Sequence, residues 1–572
     1  MRRRDDRLPG PADTSEDTFL LNLLDRVLAG IEAPSMVILR AGSPSHLDLV
    51  LRTRHPDASV ITLDVDALGE GLHVALAAHG PFHLVIDDLC RRKGRAELFR
   101  TGFLQVRPGG TWVVREFRAG GHRVARWRDR IPVQRLVRRL AKHRDRVAAG
   151  DATAGTSPAL TRRDRSQPLP SQPSALAWAL GSVVVEPPHL LVTSAAAASA
   201  KIREEEVEAL LDRRPALGRI LLKLPAIEFE SRCTLRHNLP LRTGMPERYP
   251  VPALSVREYH HVVCAQEQVV FGDNVILPDS YRHPHTKRLR NDAIADVAPR
   301  FAVPLVDERE VLPLTGRYYY LDNGHRGHFG HLLTESVAKL WAWPEAKSAD
   351  PELKALVALN RRRPVADFER DLLSAAGITT EDLVVIDAPV RVESLVAPSP
   401  MFSHPAYVHP DIAVTWHRLG VALEAAAPRR DYPRRLFCAR RMRKRLCRNV
   451  DEVEAYFEMH GFEVVRPEEW SMAEQAAMFR HADVIAGQAG SAMFSILFCD
   501  TPKHVILFGP DTYRCYNEYM IAAVRGHRLD LVTSRAELDQ PLRGYTKAAA
   551  ASAFRFDFER EGRLLEQWLD NP

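Results

Sequence analysis

One stretch, residues 434–490, decides the fold, because short apolar runs alternate there with longer amphipathic ones. In chain order its segments are "RRLFCAR" (434–440), "VDEVEAYFEMHG" (450–461), "FEVVRP" (462–467), "SMAEQAAMFRHA" (471–482) and "DVIAG" (483–487). Buried strands give short continuous apolar runs, whereas helices repeat apolar residues at helical spacing. The pattern predicts strand, helix, strand, helix, strand. This is a parallel α/β unit, in which ligands bind at the carboxyl ends of the strands.

Local signals mark where these elements begin and end. Ser471, followed three residues later by Glu474, forms a capping box that starts the second helix. Gly461 stands where the first helix stops. Gly487 and Gly490 form a glycine-rich turn after the third strand and lead into another apolar segment.

Length and composition set the class of protein. A chain of 572 residues is expected to hold about three or four domains. Hydrophobic content of 45% and charged content of 27% are typical of globular protein. No window reaches the roughly 20 apolar residues of a membrane helix, and the basic N-terminus lacks the apolar core of a secretory signal. We therefore expect a soluble protein without a transmembrane segment.

Net charge bears on the class of ligand, and cysteine usage bears on the redox compartment. A net charge of +6 suits phosphate-bearing ligands but is too modest to indicate nucleic-acid binding, which we do not predict. The seven cysteines are scattered without a CxxC pair, so the sequence predicts neither a disulfide framework nor a zinc site. The scattered cysteines favour the reducing cytoplasm.

The N-terminal third carries a second α/β pattern, with strand-like "SMVILR", "SVITLD", "FHLVIDD" and "TWVV". Through "HLVIDD" and "RPGGTWVV" it resembles class I methyltransferase-like Rossmann domains. Cofactor-binding members carry several glycines after the first strand, whereas this chain has only Gly42 there. Asp64, Asp87 and Asp88 are therefore interpreted as strand-end residues of a non-catalytic domain. Binding of S-adenosylmethionine is the alternative.

A conspicuously basic arm, residues 121–146, interrupts this domain, with Val133, Val137 and Leu140 along one side. One interpretation is a peripheral contact with a membrane or an acidic partner, and the other is a solvated helical arm. The Ala/Ser/Pro-rich stretch that follows is predicted to be mobile. The segment "GSVVVEPPHLLVTS" (181–194) is predicted to supply the last hairpin of the same domain.

The most informative middle segment is "DNGHRGHFGHLLTESVAKLWAW" (322–343), which predicts a loop and then a helix from near Gly327. Apolar residues at helical spacing are expected to face the core: Phe329, Leu332, Leu333, Val337, Leu340 and Trp341. His328, His331 and Glu335 fall on another face, with His331 and Glu335 one turn apart.

Three interpretations compete for that face. His325, His328 and His331 could ligate a metal, although the three-residue spacing across a loop-to-helix junction is a weak signal. A histidine and a glutamate at a helix start also suit general-base catalysis or the binding of sugar hydroxyls. The third interpretation is a capping histidine and a surface ion pair.

Together with residues 433–516, this helix start resembles glycosyltransferase family 61. The family's motifs are a G-H-F helix start followed by a glutamate, an arginine pair with asparagine and glutamate, an E-Q pair, and a glycine turn leading to a phenylalanine. The matching residues are Gly327, His328, Phe329, Glu335, Arg440, Arg445, Asn449, Glu452, Glu474, Gln475, Gly487, Gly490, Ser491 and Phe498. The resemblance covers roughly residues 234–532, and Ala489 stands where the family often has a histidine.

The resemblance implies an α/β fold with a GT-B-type pair of Rossmann-like lobes, preceded by the separate methyltransferase-like domain. The predicted boundaries are a tail and helix at 1–30, the methyltransferase-like domain at 31–198 with an insertion at about 120–173, a helical connector at 199–215, an acceptor-side N-lobe at 216–425, and a nucleotide-sugar-side C-lobe with a C-terminal helix at 426–572.

The resemblance also implies the site. His328 is the expected base, with Glu335 orienting it or binding the acceptor, and Asp322 is the reserve candidate. The expected nucleotide-sugar-binding residues are Arg440, Arg445, Asn449, Glu474, Gln475, Gly487, Gln488, Gly490 and Ser491. Arginine binds phosphate oxygens with two parallel N–H donors and does not titrate. No metal ligands and no cofactor beyond the donor substrate are predicted; an assisting divalent ion is compatible with the sequence but not indicated by it.

The function predicted from these features is inverting transfer of a sugar from a nucleotide sugar to a glycan or polysaccharide, in the synthesis of a bacterial surface polysaccharide such as a capsule. Two alternatives remain open from sequence. One is an S-adenosylmethionine-dependent methyltransferase acting on glycans. The other is an inactive glycan- or nucleotide-binding scaffold, which Ala489 would favour.

Overall fold

The structure is a computed structural model that describes residues 14–42, 46–89, 94–115, 132–149, 172–238, 245–289, 291–359, 364–541 and 544–570. The chain divides into two compact units. Unit 1 comprises residues 1–216, 271–278 and 287–305, and unit 2 comprises residues 217–270, 279–286 and 306–572. Two short segments of the range predicted for the N-lobe thus belong to unit 1.

The helices are α1 (Thr14–Leu28), α2 (His46–Arg54), α3 (Val65–Leu68), α4 (Leu72–His79), α5 (Arg95–Gly102), α6 (Pro132–Ala148), α7 (Gln172–Ala179), α8 (Val207–Arg213), α9 (Phe329–His331), α10 (Trp343–Ala349), α11 (Asp367–Ala375), α12 (Ile412–Ala426), α13 (Val450–Met459), α14 (Met472–His481), α15 (Tyr516–Arg525), α16 (Lys547–Ala550) and α17 (Arg563–Asp570).

The strands are β1 (Ser35–Arg40), β2 (Ser59–Asp64), β3 (Phe82–Asp87), β4 (Val106–Val114), β5 (Leu180–Glu186), β6 (His189–Ser194), β7 (Ser199–Lys201), β8 (Gly218–Leu224), β9 (Ile227–Glu230), β10 (Thr234–His237), β11 (Arg248–Val251), β12 (Leu254–Ala265), β13 (Val269–Gly272), β14 (Val275–Ile276), β15 (Ile294–Ala298), β16 (Phe301–Pro304), β17 (Leu312–Tyr320), β18 (Lys354–Ala358), β19 (Leu383–Ile386), β20 (Val390–Pro398), β21 (Phe402–Ser403), β22 (Tyr407–Val408), β23 (Arg435–Cys438), β24 (Glu463–Val465), β25 (Val484–Gln488), β26 (His504–Pro510) and β27 (Arg528–Ser534).

Unit 1 is built on a six-stranded sheet in the order β2-β1-β3-β4-β6-β5. The first four strands are parallel, and β6 runs antiparallel between β4 and β5. Strand β1 is buried along its centre because helices cover it, which explains its continuous apolar run. The predicted Rossmann-type α/β pattern and its closing hairpin around Pro187 and Pro188 are confirmed.

Helix α6 carries the described part of the basic arm. Val133, Val137 and Leu140 are buried, so the predicted apolar side holds the helix onto unit 1. Arg138, Arg139 and Lys142 are exposed on the other side. Residues 121–131 and 150–171 lie outside the described residues, and the contact with a membrane or an acidic partner stays a prediction.

The connector predicted at residues 199–215 is helical only in its second part. Strand β7 pairs in parallel with β14 and antiparallel with β16. A 3₁₀ turn at Glu204–Glu206 and helix α8 follow. Residues 199–201 form a strand because their backbone groups bond to β14 and β16. The alanine-rich sequence gave no signal of this strand.

The first large sheet has eleven strands, and those of its strands that lie in unit 2 follow one another in the order β8-β12-β20-β17-β18-β19. Strands β20, β17, β18 and β19 are parallel, and β12 runs antiparallel to β20 and β8. The chain leaves β17 through the Asp322–His328 loop, so that loop emerges at the carboxyl ends of these parallel strands.

The second large sheet of unit 2, in the order β10-β27-β26-β25-β23-β24, is parallel throughout. Helices α13 and α14 connect its strands as predicted, and the Ser471–Glu474 capping box is present. Strand β10 comes from the range predicted for the N-lobe. It is held at this edge because Arg236 donates two hydrogen bonds, of 2.7 and 2.6 Å, to the buried carboxylate of Asp530. The α/β fold class predicted from the sequence is confirmed.

Candidate functional site

The chain enters the site through the segment after Gly327. Three segments follow one another without a break: helix α9, a wider π-type turn at Leu332–Ser336 and a 3₁₀ stretch at Val337–Ala342. The sequence predicted a single regular helix. Four of the six predicted core residues are buried: Leu332, Leu333, Val337 and Leu340. Phe329 and Trp341 are half-buried.

Glu335 bonds to His331 and to Arg282. Its Oε1 lies 2.8 Å from His331 Nδ1 and accepts hydrogen bonds from Nε and Nη2 of Arg282 at 2.9 and 2.7 Å. Burial raises the pKa of Glu335, but the hydrogen bond to His331 and the charge of Arg282 lower it more, to well below its usual value of 4.5. The residue is therefore an anion.

His331 is in this way a histidine oriented by a carboxylate. Arg282 Nη2 also lies 3.0 Å from His331 Nδ1, but a guanidinium can only donate and already has Glu335 as acceptor. We therefore assign the Nδ1 proton to the hydrogen bond with Glu335, which leaves Nε2 as an acceptor. The sequence placed His331 on the same helix face as Glu335 but gave His328 as the expected base.

His328, the predicted base, lies next to His331, with 4.6 Å between the ring centroids. Its pKa is lowered by burial first, and then by the charges of His331 and Lys444. The helix N-terminus, which the sequence analysis invoked, is not the main cause. Among the described residues, Glu335 is bonded to His331 and not to His328. The predicted orientation of His328 by Glu335 is thus replaced by the His331–Glu335 pair.

The glycine turn after β25 lies against two arginines. Gly490 has a φ of +152°, and a β-carbon there would lie 2.3 Å from Arg440 Nη1 and 2.8 Å from Arg445 Nη2. Only glycine permits this approach. Arg440 Nη1 also donates to the Ala489 carbonyl at 3.1 Å. The predicted helix after the turn is a 3₁₀ helix, Ser491–Phe498.

Arg445 is a strained and buried residue. Its φ is +57°, which is unusual for a residue with a side chain. The side chain is 5% exposed, and its guanidinium stacks on the Tyr513 ring at 3.9 Å. Gln488 donates to the Arg445 carbonyl and helps to hold this backbone. Strain of this kind persists where the surroundings fix the residue.

The two arginines have no acidic partner in ion-pair contact within the described part of the chain. The Nε atoms of Arg440 and Arg445 are buried without a hydrogen-bond partner there. Burial and then the neighbouring charge of Arg445 lower the pKa of Arg440 to about 10. Two guanidinium groups with unused donors, next to backbone amides, form a site for an anion.

Two lysines add to this positive region. The pKa of Lys444 is lowered by burial and then by Arg445, Arg440 and Lys547. Lys444 belongs to the basic run that the sequence pointed out, "ARRMRKRLCR", although the residue itself was not predicted. Lys547 was missed, and it had no signal because it lies about a hundred residues further along the chain.

The histidine pair and the anion site are adjacent. A β-carbon on Gly330 would lie 2.8 Å from Ser491 Cβ, so helix α9 packs directly on the residue that follows Gly490. The effect of Lys444 on the pKa of His328 also indicates that the basic loop reaches the histidines. The two histidines and the anion site therefore face the same region.

A cavity of about 530 Å³ opens beside this junction. It lies at the carboxyl ends of β23, β24 and β25, where parallel sheets bind ligands. Its lining includes Phe329, Phe368, Trp470, Arg440, Gln475 and Ser491. Aromatic walls with a few polar groups are typical of small-molecule sites.

The remaining predicted binding residues have structural partners. Asn449 bonds through both side-chain atoms to the backbone of Phe556, at 3.0 and 2.9 Å. Glu474 closes the capping box and lies 3.2 Å from Arg430. Gly487 permits close contact with Met493 and Cys438. These three are not among the described residues that line the cavity.

Asp322, the reserve base, is buried and bonded to backbone amides. Its carboxylate accepts from the Gln268 and Ala358 amides at 2.9 and 3.2 Å. Burial raises its pKa to about 6. Asp322 therefore braces the loop that leads to the histidines. No group of three or more His, Cys, Asp or Glu among the described residues is arranged to hold a metal ion.

The strand-end carboxylates of unit 1 are engaged in local contacts. Asp64 accepts from the Asp66 and Ala67 amides and caps α3. Asp87 is fully buried 3.5 Å from Arg95, and burial raises its pKa to about 6. Asp88 pairs with Arg115 at 3.0 Å. These contacts agree with the interpretation of the acids as structural, and S-adenosylmethionine binding stays an untested alternative.

Comparison with known proteins finds a family similarity in one segment of the chain. Residues 329–506 match the family Glycosyltransferase 61, which confirms the resemblance over that segment. The match includes His331, Glu335, Arg440, Arg445 and the 487–491 turn, and it begins one residue after His328. No curated protein matches the chain.

Several solved structures are similar to part of the chain. The MycE methyltransferase from the mycinamycin biosynthetic pathway, with Mg and SAH in crystal form 2, is 15% identical over 31% of this chain and 48% of that chain, with a TM-score of 0.23. In crystal form 1 the same enzyme is 17% identical over 33% of this chain and 50% of that chain, with a TM-score of 0.23. In the complex with Mg, SAH and mycinamycin VI it is 15% identical over 31% of this chain and 49% of that chain, with a TM-score of 0.22. The chain spans about half the length of these structures. In the described residues, no helix combines the length and apolarity needed to cross a membrane.

Proposed function

We propose that this chain is an inverting glycosyltransferase that moves a sugar from a nucleotide-sugar donor to a hydroxyl group of a glycan. The observation that carries the proposal is the pair Arg440 and Arg445, whose unused donors lie beside the Gly490 turn. The match of residues 329–506 to a glycosyltransferase family supports it. The two sheets of unit 2 would act as the two lobes of a GT-B-type enzyme.

The diphosphate of the donor binds to the two guanidinium groups and to the amides of the turn. During transfer, the acceptor oxygen forms a bond to the anomeric carbon while the bond from that carbon to the diphosphate oxygen breaks on the opposite face. The electron pair of the broken bond leaves with the diphosphate. Arg440 and Arg445 stabilise the negative charge that develops there.

The acceptor hydroxyl loses its proton to Nε2 of His331 in this scheme. Glu335 holds the other ring nitrogen and stabilises the imidazolium that forms, since it is an anion bonded to Nδ1. Arg282 in turn fixes the carboxylate. His328 is the second candidate for the base because its ring lies beside that of His331.

The cavity supplies room for the rest of the donor or for the acceptor sugar. Its aromatic walls can pack against a flat base or the apolar face of a sugar ring. We further propose a bacterial surface polysaccharide as acceptor, supported by the family resemblance. Six described cysteines are free thiols, which supports action in the reducing cytoplasm.

Calorimetric titration with nucleotide sugars tests the proposal. Arg445→Ala should weaken donor binding by about tenfold or more, because charge-assisted hydrogen bonds to phosphate are lost. Arg443→Ala, an exposed arginine of the same loop, is the matched control and should bind as the wild type does. Equal donor affinity in the Arg445 variant would contradict the diphosphate assignment.

A thermal-shift panel of nucleotide sugars and S-adenosylmethionine separates the alternative functions. Stabilisation by nucleotide sugars supports the transferase, because a ligand that binds only the folded state raises the midpoint. Stabilisation by S-adenosylmethionine alone would favour the methyltransferase. Binding of nucleotide sugars without any turnover would favour the scaffold.

A further inference from the structure

Glu518, on α15, is a fully buried glutamate without a side-chain hydrogen-bond donor among the described residues. Its relative exposure is 0%, and both carboxylate oxygens are buried. A buried carboxylate normally has an arginine, a lysine or several hydroxyl groups bonded to it. The surroundings of Glu518 must therefore account for a buried carboxyl group without such a partner.

The charged groups that act on Glu518 are those of the anion site. Arg445 and Arg440 face it from the loop after β23, and the Gly490 amide faces it from the turn after β25. Tyr513 and Cys515, from the loop after β26, are further titratable neighbours among the described residues, and both are neutral because burial raises the pKa of each. Glu518 is thus a buried acid beside the Gly490 turn, which contacts both arginines, and these arginines have no ion-pair partner in the described part of the chain.

We infer that Glu518 is the internal counter-anion of the arginine pair, and that an external anion binds to this pair only when Glu518 is protonated. Binding of the donor diphosphate would then take up one proton. The inference rests on the proposed function for the identity of that anion. The coupling itself is a property of the pair and of Glu518 with any oxyanion.

The physical reason is competition for the same positive charge. When the site is empty, an ionised Glu518 offsets part of the charge of Arg440 and Arg445. An added diphosphate would place two negative charges close to a third in a buried, low-dielectric region, where like charges repel strongly. Protonation removes the third charge, so the neutral acid and the bound anion are compatible.

The pKa of Glu518 makes this coupling relevant near neutral pH. Burial raises the pKa to about 7, while the amides of Glu518 and Gly490 and the two guanidinium groups lower it by less. Below this pH the acid is already protonated and binding needs no proton. Above it, the ionised acid must first be protonated, so the dissociation constant should rise about tenfold per pH unit.

Inorganic sulfate is a suitable probe because its charge is constant across this pH range and it has no nucleoside. We expect the sulfate dissociation constant of the wild type to be about tenfold larger at pH 8 than at pH 6. Glu518→Gln should bind sulfate equally well at both values. Glu561→Gln replaces an equally buried glutamate that is bonded to Ser534 and should keep the wild-type dependence.

Three results would overturn the inference: a flat profile in the wild type, an unchanged profile in Glu518→Gln, or no sulfate binding at any pH. If Glu518→Gln does not fold, calorimetry of the wild type in two buffers of different ionisation enthalpy gives the proton count directly. We expect close to one proton taken up at pH 8 and none at pH 6. No uptake at pH 8 would overturn the inference.

The sulfate result separates this inference from the proposed function. Coupled sulfate binding without any nucleotide-sugar binding would retain the role of Glu518 and contradict the transferase. Nucleotide-sugar binding with a pH-independent affinity would support the transferase and overturn the role of Glu518. Glu518→Gln keeps His328, so any pH dependence that persists in this variant comes from groups other than Glu518.

Discussion

Gly330 lies so close to Ser491 that a β-carbon on Gly330 would stand 2.8 Å from Ser491 Cβ. Gly330 directly precedes His331, and Ser491 directly follows Gly490. The absence of one side chain therefore sets how near the candidate base comes to the candidate diphosphate site. Catalysis by a base and an anion site depends on such distances, since errors of about 1 Å can reduce rates a hundredfold.

Gly330→Ala tests this contact. The added methyl group should push α9 away from the turn, lower turnover and destabilise the fold by about 1–3 kcal/mol, as overpacking does. Gly324→Ala is the matched control, because its β-carbon would meet only the Glu267 carbonyl at 3.8 Å. Wild-type turnover in Gly330→Ala would show that the close approach is not needed.

Replacement of the two histidines separates the candidates for the base. His331→Ala should lower kcat by about a hundredfold or more while donor affinity stays the same. His328→Ala should have the smaller effect, since Glu335 bonds to His331. Steady-state kinetics with calorimetry measures both quantities. The reverse order of effects would restore His328 as the base.

Glu335→Gln tests the positioning role of the carboxylate. The charge of Glu335 stabilises the imidazolium that forms on His331 during transfer, and a neutral amide cannot do this, so kcat should fall while donor affinity stays the same. Steady-state kinetics with calorimetry measures both quantities. Wild-type kcat in Glu335→Gln would contradict the positioning role.

The lowered pKa of Glu335 also predicts acid sensitivity of the fold. A carboxyl group whose pKa is lower in the folded state contributes stability above its unfolded value of 4.5 and loses it as pH falls through the folded-state value. Glu335→Gln should lower the free energy of unfolding by about 2 kcal/mol at pH 7 and by less in acid. Denaturant titrations at several pH values measure this. Glu352→Gln, an exposed control, should behave as the wild type.

Unit 1 contains a buried ion pair whose removal is informative about stability. Lys201 donates to Asp296 at 2.6 Å, and the two residues are 1% and 7% exposed. Lys201→Met leaves an unpaired buried carboxylate and should lower the free energy of unfolding by about 3–5 kcal/mol. Lys201→Met with Asp296→Asn should recover most of the loss, because asparagine can still accept from the Leu289 amide. No difference between the single and double variants would contradict this account.

The sequence predicted those features that depend on neighbours along the chain. The apolar periods located the strands around Leu436, Val464 and Ile485, and the Ser471 capping box located the start of α14. The arginine pair and the glycine turn were predicted because each lies at the end of a strand. The structure shows that they meet.

Features that depend on distant residues could not be predicted in the same way. Arg282 reaches Glu335 across 53 positions, and Lys547 joins Lys444 across about a hundred. Both histidines share a helix face with Glu335, so the sequence could not show which of them bonds to it. In the structure Arg282 fixes the Glu335 carboxylate, and that carboxylate bonds to His331. The change from α to π and 3₁₀ geometry after His331 is set by packing, and no residue in the segment signals it.

Strand β10 has a consequence for how the protein is made. The parallel sheet that precedes the arginine loop is completed at one edge by residues 234–237, and Arg236 neutralises Asp530 across 294 positions. During synthesis β10 can pair with β27 only after almost all of the remaining chain has been made, and such long-range pairing is slow. A fragment that begins near residue 426 would lack the strand and leave Asp530 without Arg236. Unit 2 therefore has to be produced with the sequence from before residue 234 onward.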